Sequence, residues 1–445
     1  MTPAARLEAA IYLLEKISTE RRPADDIVRG WIKARRFVGG TDRRNLRERI
    51  YGILRRRMHL DWHIENAGFN PTPRMEVIAD VILVDGLNPA ELFDGSTHAP
   101  KPLNNDEQKL AIKLVGKSLE DPAMPAHVLV EMPEWMTDSL KSFYGERFME
   151  ETQAMNKPAP MDLRVNLARV TREQAMQSLR KDGVVTDKID LTPAGIRLEA
   201  HSDISRTKAF RTGLIEVQDA GSQVLSFLTG ARAGMAVADY CAGAGGKTLA
   251  LADRLGLQGG GKSRLVACDN NNDRLKRMDR RLERAKLDKL VERHVIDDDK
   301  KWENENRELF DRVLVDAPCS GSGTWRRHPE QKNRVSQDLV FELTKTQDEI
   351  LSRAAELVKP NGRLVYATCS VLEQENEERV KKFLATHKQF KAVDWREAWV
   401  ETMNKTPLPE ATSVNAGAPD SPFLRLSPAQ HGSDGFFVAV LTKTS

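Results

Sequence analysis

The apolar positions of this chain fall into three regimes. From residue 1 to about 118 they recur with helical spacing. Leu7, Ala10, Ile11, Leu13, Leu14 and Ile17 mark one face of a first helix, Ile27, Trp31, Ile32 and Phe37 a second, and Leu46, Ile50, Ile53 and Leu54 a third. Asn88 to Asp121 mixes Pro, Asn, Asp and Gly around one short helix and reads as the end of this region and a linker. Residues 133–156 predict a polar helix with Trp135, Met136, Leu140 and Phe143 on one side. Met161 to Asn166 then alternates as a strand does, Thr171 caps a helix to Lys181, and Val184 to Leu198 is strand-like but broken by Pro193 and Gly195. This mixture predicts a small middle domain of roughly 80–100 residues. From Val217 onward strands alternate with helices, the pattern of a parallel sheet. Strands are expected over 235–239, 264–268, 291–296, 312–315 and 363–367, and helices over 249–255, 272–287, 339–358 and 373–384. Residues 403–422, rich in Pro, Ala and Ser, predict a loop before the last strands.

The ends of those strands carry the candidate chemistry. The first runs into Tyr240-Cys241-Ala242-Gly243-Ala244-Gly245-Gly246-Lys247-Thr248 and then into a helix. A glycine-rich turn there lets backbone N–H groups approach a ligand closely. The spacing is neither that of a P-loop nor a strict G-x-G-x-x-G. The second strand ends in Asp269, about 20 residues on, where an acid accepts hydrogen bonds from ribose hydroxyls. The third ends in Asp297-Asp298-Asp299 and the fourth in Asp316. Open α/β sheets place ligands at the carboxyl ends of their strands. The turn and the acids therefore predict one cofactor site, suited to a neutral or cationic nucleoside rather than a phosphate-rich dinucleotide.

Composition sets the bounds. A chain of 445 residues predicts two or three domains, and 40% hydrophobic with 30% charged residues fits a soluble globular protein. No apolar run approaches the roughly 20 residues that span a bilayer, so no membrane partner is expected. No apolar signal core opens the chain, and Cys241, Cys268, Cys319 and Cys369 show neither metal-ligand nor disulfide spacing. These features predict a cytoplasmic protein with no bound metal.

Net charge is only +3, but Arg21, Arg22, Arg29, Lys33, Arg35 and Arg36 are followed by Arg43, Arg44, Arg47, Arg49, Arg55, Arg56 and Arg57. Such a cluster either draws in a polyanion or is a solvated face with internal ion pairs, and the pattern leaves both open. The basic helix over 272–287 reads as a solvated face. Trp325 to Glu330 predicts a flexible basic segment suited to a polyanionic substrate.

Two cysteines stand just past strand ends: Cys319 in Asp316-Ala317-Pro318-Cys319-Ser320-Gly321-Ser322-Gly323, and Cys369 in Thr368-Cys369-Ser370. Each is either a small packing residue or a thiol presented to a substrate. Cys268 reads as a strand residue, and Cys241 as lining the turn through its backbone.

The blocks DYCAGAGGKT at 239–248, VDAPCSGSGTWRRHPE at 315–330 and GRLVYATCSVLEQENE at 362–377 resemble the RsmB/NOP-type (Sun family) RNA 5-methylcytosine methyltransferases. RVN at 164–166, VQDAGSQ at 217–223 and HGSDGFFVAVL at 431–441 fit the same pattern, and the resemblance covers roughly 130–445. It implies an α/β fold: a Rossmann-like class I methyltransferase domain with a mostly parallel sheet over 216–445. A small α+β RNA-contacting domain over 130–215 and an all-α NusB-like RNA-binding domain over 1–120 would precede it. S-adenosylmethionine is the implied cofactor, lined by Cys241, Ala242, Gly243, Ala244, Gly245, Gly246 and Lys247. Asp269 is implied at its ribose, Asp297 near its adenine and Asp316 between cofactor and target base. Cys369 is implied as nucleophile and Cys319 as the residue that frees the product. One departure stands out. The family turn reads CAAPGGKT, so Gly243-Ala244 here lacks the stiffening proline while Gly245, Gly246 and Lys247 are kept.

That chemistry has a use for two thiols. C5 of cytosine is a poor nucleophile, and addition of a thiolate at C6 makes C4–C5–C6 an enamine whose C5 attacks an electrophilic methyl. A thiolate needs positive neighbours, for which Lys247 is the candidate. Asp316 is placed to hold the cytosine amino group. A second cysteine assists loss of the C5 proton. The expected substrate is RNA, with 16S ribosomal RNA leading and transfer RNA as the alternative. A ribosome assembly factor that binds RNA without catalysis is the competing class, and both intact cysteines weigh against it. No protein partner is evident in the sequence.

Overall fold

The computed structural model of the chain describes residues 1–200, 202–403, 405–409 and 421–444, so most of the loop expected over 403–422 lies outside the described residues. The chain folds as two compact units, Met1–Lys157 with Trp325–Arg334, and Pro158–Thr324 with Val335–Ser445.

The first unit is helical. Its helices include Pro3–Thr19, Ala24–Lys33, Gly40–Arg55, Arg57–Asn66, Pro73–Leu83 and Asn105–Leu114. Local signals start them: Thr2 accepts from Ala5 N at 3.1 Å, and Asn104 with Glu107 forms a reciprocal capping box. Leu7, Leu13, Leu14, Ile17, Leu46, Ile50, Ile53 and Leu54 share one buried core. Phe37 does not join it. The second helix stops at Lys33, and Phe37 is 72% exposed in the turn that follows. The polar helix expected over 133–156 divides at Gly145, whose φ of 55° breaks it into Glu134–Tyr144 and Phe148–Asn156.

The arginine run of this unit divides in two. Asp80, fully buried, pairs with Arg49 and Arg56, and Glu76 holds Arg57 at 2.7 Å. Lys33, Arg36, Arg44 and Arg47 stay exposed. The segment expected to be a flexible basic strip is part of this unit's interior. Trp325 is fully buried, Arg326 and Lys332 are buried, and Glu330 accepts from Ala24 N at 3.1 Å. Arg334 donates to Ile17 O at 2.8 Å and Glu20 O at 2.9 Å, which closes the carboxyl end of the first helix. Composition marks a segment as basic, but it does not show which carbonyls, tens to hundreds of residues away, its cations meet.

The second unit holds two sheets. The smaller comprises β1 (Asp162–Val165), β2 (Thr186–Lys188), β3 (Gly195–Leu198) and β4 (Ile215–Val217), all antiparallel in the order β2-β3-β1-β4. The helix Arg172–Lys181 packs Ala175 and Leu179 into its core with Leu163, Val165 and Ile196.

The larger sheet comprises β5 (Ala236–Asp239), β6 (Arg264–Asp269), β7 (Glu292–Val295), β8 (Phe310–Asp316), β9 (Val358–Thr368), β10 (Phe390–Val393), β11 (Leu424–Leu426) and β12 (Phe436–Lys443). The order is β10-β12-β9-β8-β5-β6-β7, with β11 on β12. β5 to β9 are parallel, and β12 runs antiparallel to β9, β10 and β11. The fold is thus α/β and Rossmann-like, with a helical region and a small α+β region before it. Successive residues of β8 enter different cores: Leu314 packs with Val237, Leu265 and Val365, and Val313 and Val315 with Val266 and Tyr366. Burial on both faces explains the continuous apolar run of a central parallel strand. β9 is longer than expected because it begins before the turn at Asn361, and a register irregularity against β8 absorbs that turn. The helix expected over 272–287 is interrupted at Met278, giving Asn272–Arg277 and Asp279–Ala285.

Candidate active site

Four parallel strands deliver their ends to one edge. β5 ends in Asp239, β6 in Asp269 and β8 in Asp316, and Ile296, one residue past β7, donates its N–H to Asp269 O at 3.0 Å. The glycine turn follows β5. Ala242 N donates to Cys268 O at 2.8 Å and Gly243 N to Asp269 Oδ2 at 2.9 Å, which seats the turn over the end of β6. Gly245 has φ 82°, and a Cβ there would fall 2.4 Å from Met278 Cγ. Met278 therefore interrupts its helix where it packs on the turn. The helix Gly246–Leu255 starts with no side-chain cap on its free N–H groups. Gly243 has φ 53°, in the left-handed region that favours glycine, and a Cβ there would meet nothing within 4 Å.

Lys247 reaches Asp316, with Nζ 2.5 Å from Oδ2. Burial alone would lower the Lys247 ammonium, but Asp316, by charge and hydrogen bond, and then Cys369 raise it above its usual value, so it stays charged. Asp239 is fully buried; burial, partly offset by the hydrogen bond from Thr248, pushes its carboxyl up to about 7. Cys241 is raised well above an ordinary thiol by burial and then by Asp316, Asp239 and Asp269. It is the wrong environment for a thiolate, in keeping with a backbone role in the turn. Asp297 is exposed, and its carboxyl is raised chiefly by a hydrogen bond with Asp299. Its backbone O accepts from Arg353 Nη2 at 2.5 Å. Among the described residues its side chain makes no hydrogen bond or ion pair with the glycine turn.

The two strand-end cysteines meet. Cys319 Sγ and Cys369 Sγ lie 3.4 Å apart. Ala317 N donates to Ala367 O at 2.9 Å and Gly323 N to Cys369 O at 2.9 Å, so the loop after β8 lies along the end of β9. Cys319 is held well above the ordinary thiol value by its hydrogen bond to Cys369 and then by burial.

Sequence reasoning missed the shell behind this pair. Glu375, fully buried, accepts from Ser320 N at 2.8 Å, Ser320 Oγ at 2.5 Å, Ser370 Oγ at 2.5 Å and Gln347 Nε2 at 3.0 Å. The only sequence signal was its place in the block that contains Cys369. Asp239 was passed over as a strand residue. The arginines of the 272–287 region are in part structural: Arg281 donates to Ala244 O at 2.8 Å, and Arg281 and Arg284 both pair with Glu216.

The edge thus offers free helix N–H groups, the carboxylates Asp269 and Asp316 at strand ends on either side of β5, and an ammonium between an acid and a thiol. That set suits ribose hydroxyls and a sulfonium rather than a diphosphate.

Comparisons with known proteins place similar chains among the rRNA methyltransferases. Residues 228–442 match the family model described as 16S rRNA methyltransferase RsmB/F, and residues 132–205 match the ferredoxin-like domain of the same methyltransferases. The chain is 34% identical over 313 residues to ribosomal RNA small subunit methyltransferase B of Vibrio cholerae serotype O1, spanning 70% of this chain and 65% of that relative. The protein of the same name from Photorhabdus laumondii is 28% identical over 431 residues, spanning 92% of this chain and 93% of its own. The crystal structure of PH0851 superposes with a TM-score of 0.78 at 26% identity, covering 100% of this chain and 99% of that one.

Proposed function

The chain belongs to the RsmB/F family of 16S rRNA methyltransferases, and from that premise we propose that it methylates C5 of a cytosine in 16S ribosomal RNA, using S-adenosylmethionine and Cys369 as nucleophile. The observation that carries the reading is the 3.4 Å thiol pair beside the Lys247–Asp316 ion pair. One thiol alone serves attack, whereas two in contact serve attack and release.

When bound, S-adenosylmethionine supplies an electrophilic methyl. The residues that would hold it are the turn Cys241–Lys247, Asp269 at the ribose, Asp297 toward the adenine and Asp316. Lys247 provides the positive neighbour that a thiolate nucleophile requires. The target base is taken out of any stack, as enzymes that react with bases require. Asp316, beside Lys247, accepts from the cytosine amino group and orients the ring. The Cys369 thiolate adds to C6, and the electron pair of the C5=C6 bond becomes available at C5. Once C5 carries the methyl, its proton must leave. The C5–H pair then reforms C5=C6, and the Cys369–C6 bond breaks to return the thiolate. Cys319 takes that proton, directly or through a water. The largest cause of its raised value is Cys369 itself. That cause disappears while the Cys369 sulfur is a neutral thioether, so more of Cys319 is thiolate, the form that accepts a proton, at the step that needs it.

A pair of variants tests this. Cys369→Ala is expected to abolish methyl transfer. Cys319→Ala is expected to trap a protein–RNA adduct that survives denaturant. The opposite pattern would exchange the roles, and no transfer by wild type to any cellular RNA would leave RNA binding without catalysis. Bisulfite mapping of RNA from cells lacking the protein names the cytosine.

A further inference from the structure

Each cysteine of the pair is followed by a serine, and one carboxylate holds both serines. Glu375 lies in the short turn Glu373–Glu375 beyond β9. Its Oε1 accepts from Ser320 N at 2.8 Å, and its Oε2 from Ser320 Oγ and Ser370 Oγ, each at 2.5 Å. Gln347, on the helix Gln337–Glu356, bridges Glu375 at 3.0 Å and Pro318 O at 2.9 Å. The residues on either side of Cys319 are thus gripped by one carboxylate–amide unit. Glu375 is fully buried, and all four of its donors are neutral. Burying an anion without a counter-cation is costly, and a glutamate here satisfies a requirement that a neutral packing residue would not.

The hold is unequal. Cys369 follows a strand paired to β12 as far as Phe437 and Thr368, and its own carbonyl accepts from Gly323 N at 2.9 Å. Cys319 has no such ladder. Its loop leaves the sheet after Ala317, and the bonds that fix the backbone on both sides of it run to Glu375 and Gln347.

We propose that Glu375 is a positioning residue for Cys319: through Ser320 it keeps the second thiol against Cys369 and so serves release of the methylated base rather than attack on it. This rests on the division of labour between the thiols given above. Glu375 touches neither base nor cofactor in this role. Its charge is also among the causes that keep Cys319 raised, after Cys369 and burial.

The test is Glu375→Gln, which keeps the shape but leaves one acceptor where there were two. Two readouts are taken on folded protein with its melting temperature measured. In the first, single-turnover methylation is resolved on denaturing gels. Glu375→Gln should accumulate the RNA adduct as Cys319→Ala does, with release slowed roughly tenfold or more, the effect of losing hydrogen bonds to a charged acceptor. Adduct that never forms, as with Cys369→Ala, or release at the wild-type rate would overturn the proposal. The second readout needs no RNA. Diamide takes two electrons and two protons from Cys319 and Cys369 and joins them, at a rate that reports their approach. That rate should fall about tenfold in Glu375→Gln, and an unchanged rate counts against the hold. If Cys319→Ala itself traps nothing, the assignment of the thiols fails, while the diamide rates still decide whether Glu375 positions Cys319. Should Glu375→Gln not fold, Ser320→Ala removes the hydroxyl bond to Glu375, with the hydroxyl contacts to Ser322 and Ser370, and keeps the backbone one. It should shift both readouts the same way by less, and no shift in either would overturn the proposal.

Discussion

Gly323 and Gly435 meet backbone to backbone. Gly435 N donates to Gly323 O at 2.8 Å, and a Cβ on Gly323 would fall 2.2 Å from Gly435 O. Gly323 ends the loop that carries Cys319, and Gly435 precedes β12. The contact explains why a glycine-bearing stretch at 431–436 belongs with a cysteine loop more than a hundred residues earlier.

Gly323→Ala must therefore push the Cys319 loop away from β12. A loss of about 1–3 kcal/mol in urea unfolding is expected, the usual cost of overpacking, together with a larger fall in methyl transfer than in cofactor affinity. Gly30→Ala is the contrast. Gly30 sits inside the helix Ala24–Lys33 with nothing within 4 Å of the new methyl, and a gain of about 0.5–1 kcal/mol is expected.

Lys247→Met keeps the side-chain stem and removes the charge that faces Asp316 and Cys369. Adduct formation in single-turnover assays should slow by about 100-fold, or ~2.7 kcal/mol. In a Cys319→Ser background the alkylation of Cys369 by iodoacetamide at a fixed neutral pH should slow. Unchanged alkylation would remove Lys247 from the role of the thiolate's positive neighbour.

Asp239 gives a pH dependence with a definite sign. Its folded carboxyl titrates at about 7, against about 4 in an unfolded chain, and Oδ1, the atom free to carry the proton, has no partner. Between those values the native state binds a proton that the unfolded state has released. The stability contributed by this group is therefore complete below about pH 4 and falls as pH rises to about 7, by up to ~1.4 kcal/mol per pH unit. Asp239→Asn keeps an acceptor for Thr248 and has no proton to lose. The difference in unfolding free energy should move in favour of the variant from about pH 5 to about pH 7, and a pH-independent difference would refute the assignment.

Arg164, in β1, is buried, and it pairs with Asp253 and donates to Gln218 Oε1 at 2.7 Å. Asp253 lies on the helix that begins at the glycine turn. Arg164→Met should cost about 3–5 kcal/mol in urea unfolding by stranding Asp253, and the double variant Arg164→Met with Asp253→Leu should recover much of it.

What the sequence determined by itself was what depends on near neighbours and on chemical type. Helical and strand periods located the main elements of both units because burial repeats with them. The glycine turn and the acids at strand ends located the site's edge because an open sheet has one edge to offer. Only the tertiary structure decided the rest. It showed that Cys319 and Cys369, fifty residues apart, are in contact, that Glu375 holds the residues after both, and that Gly323 requires a glycine at 435. It also buried Trp325 and Arg326, where composition alone suggested a flexible basic segment. These outcomes share one physical reason. Hydrogen bonds, ion pairs and close backbone contacts act over a few ångströms in space, and residues far apart along the chain carry no local pattern that says which of them will meet.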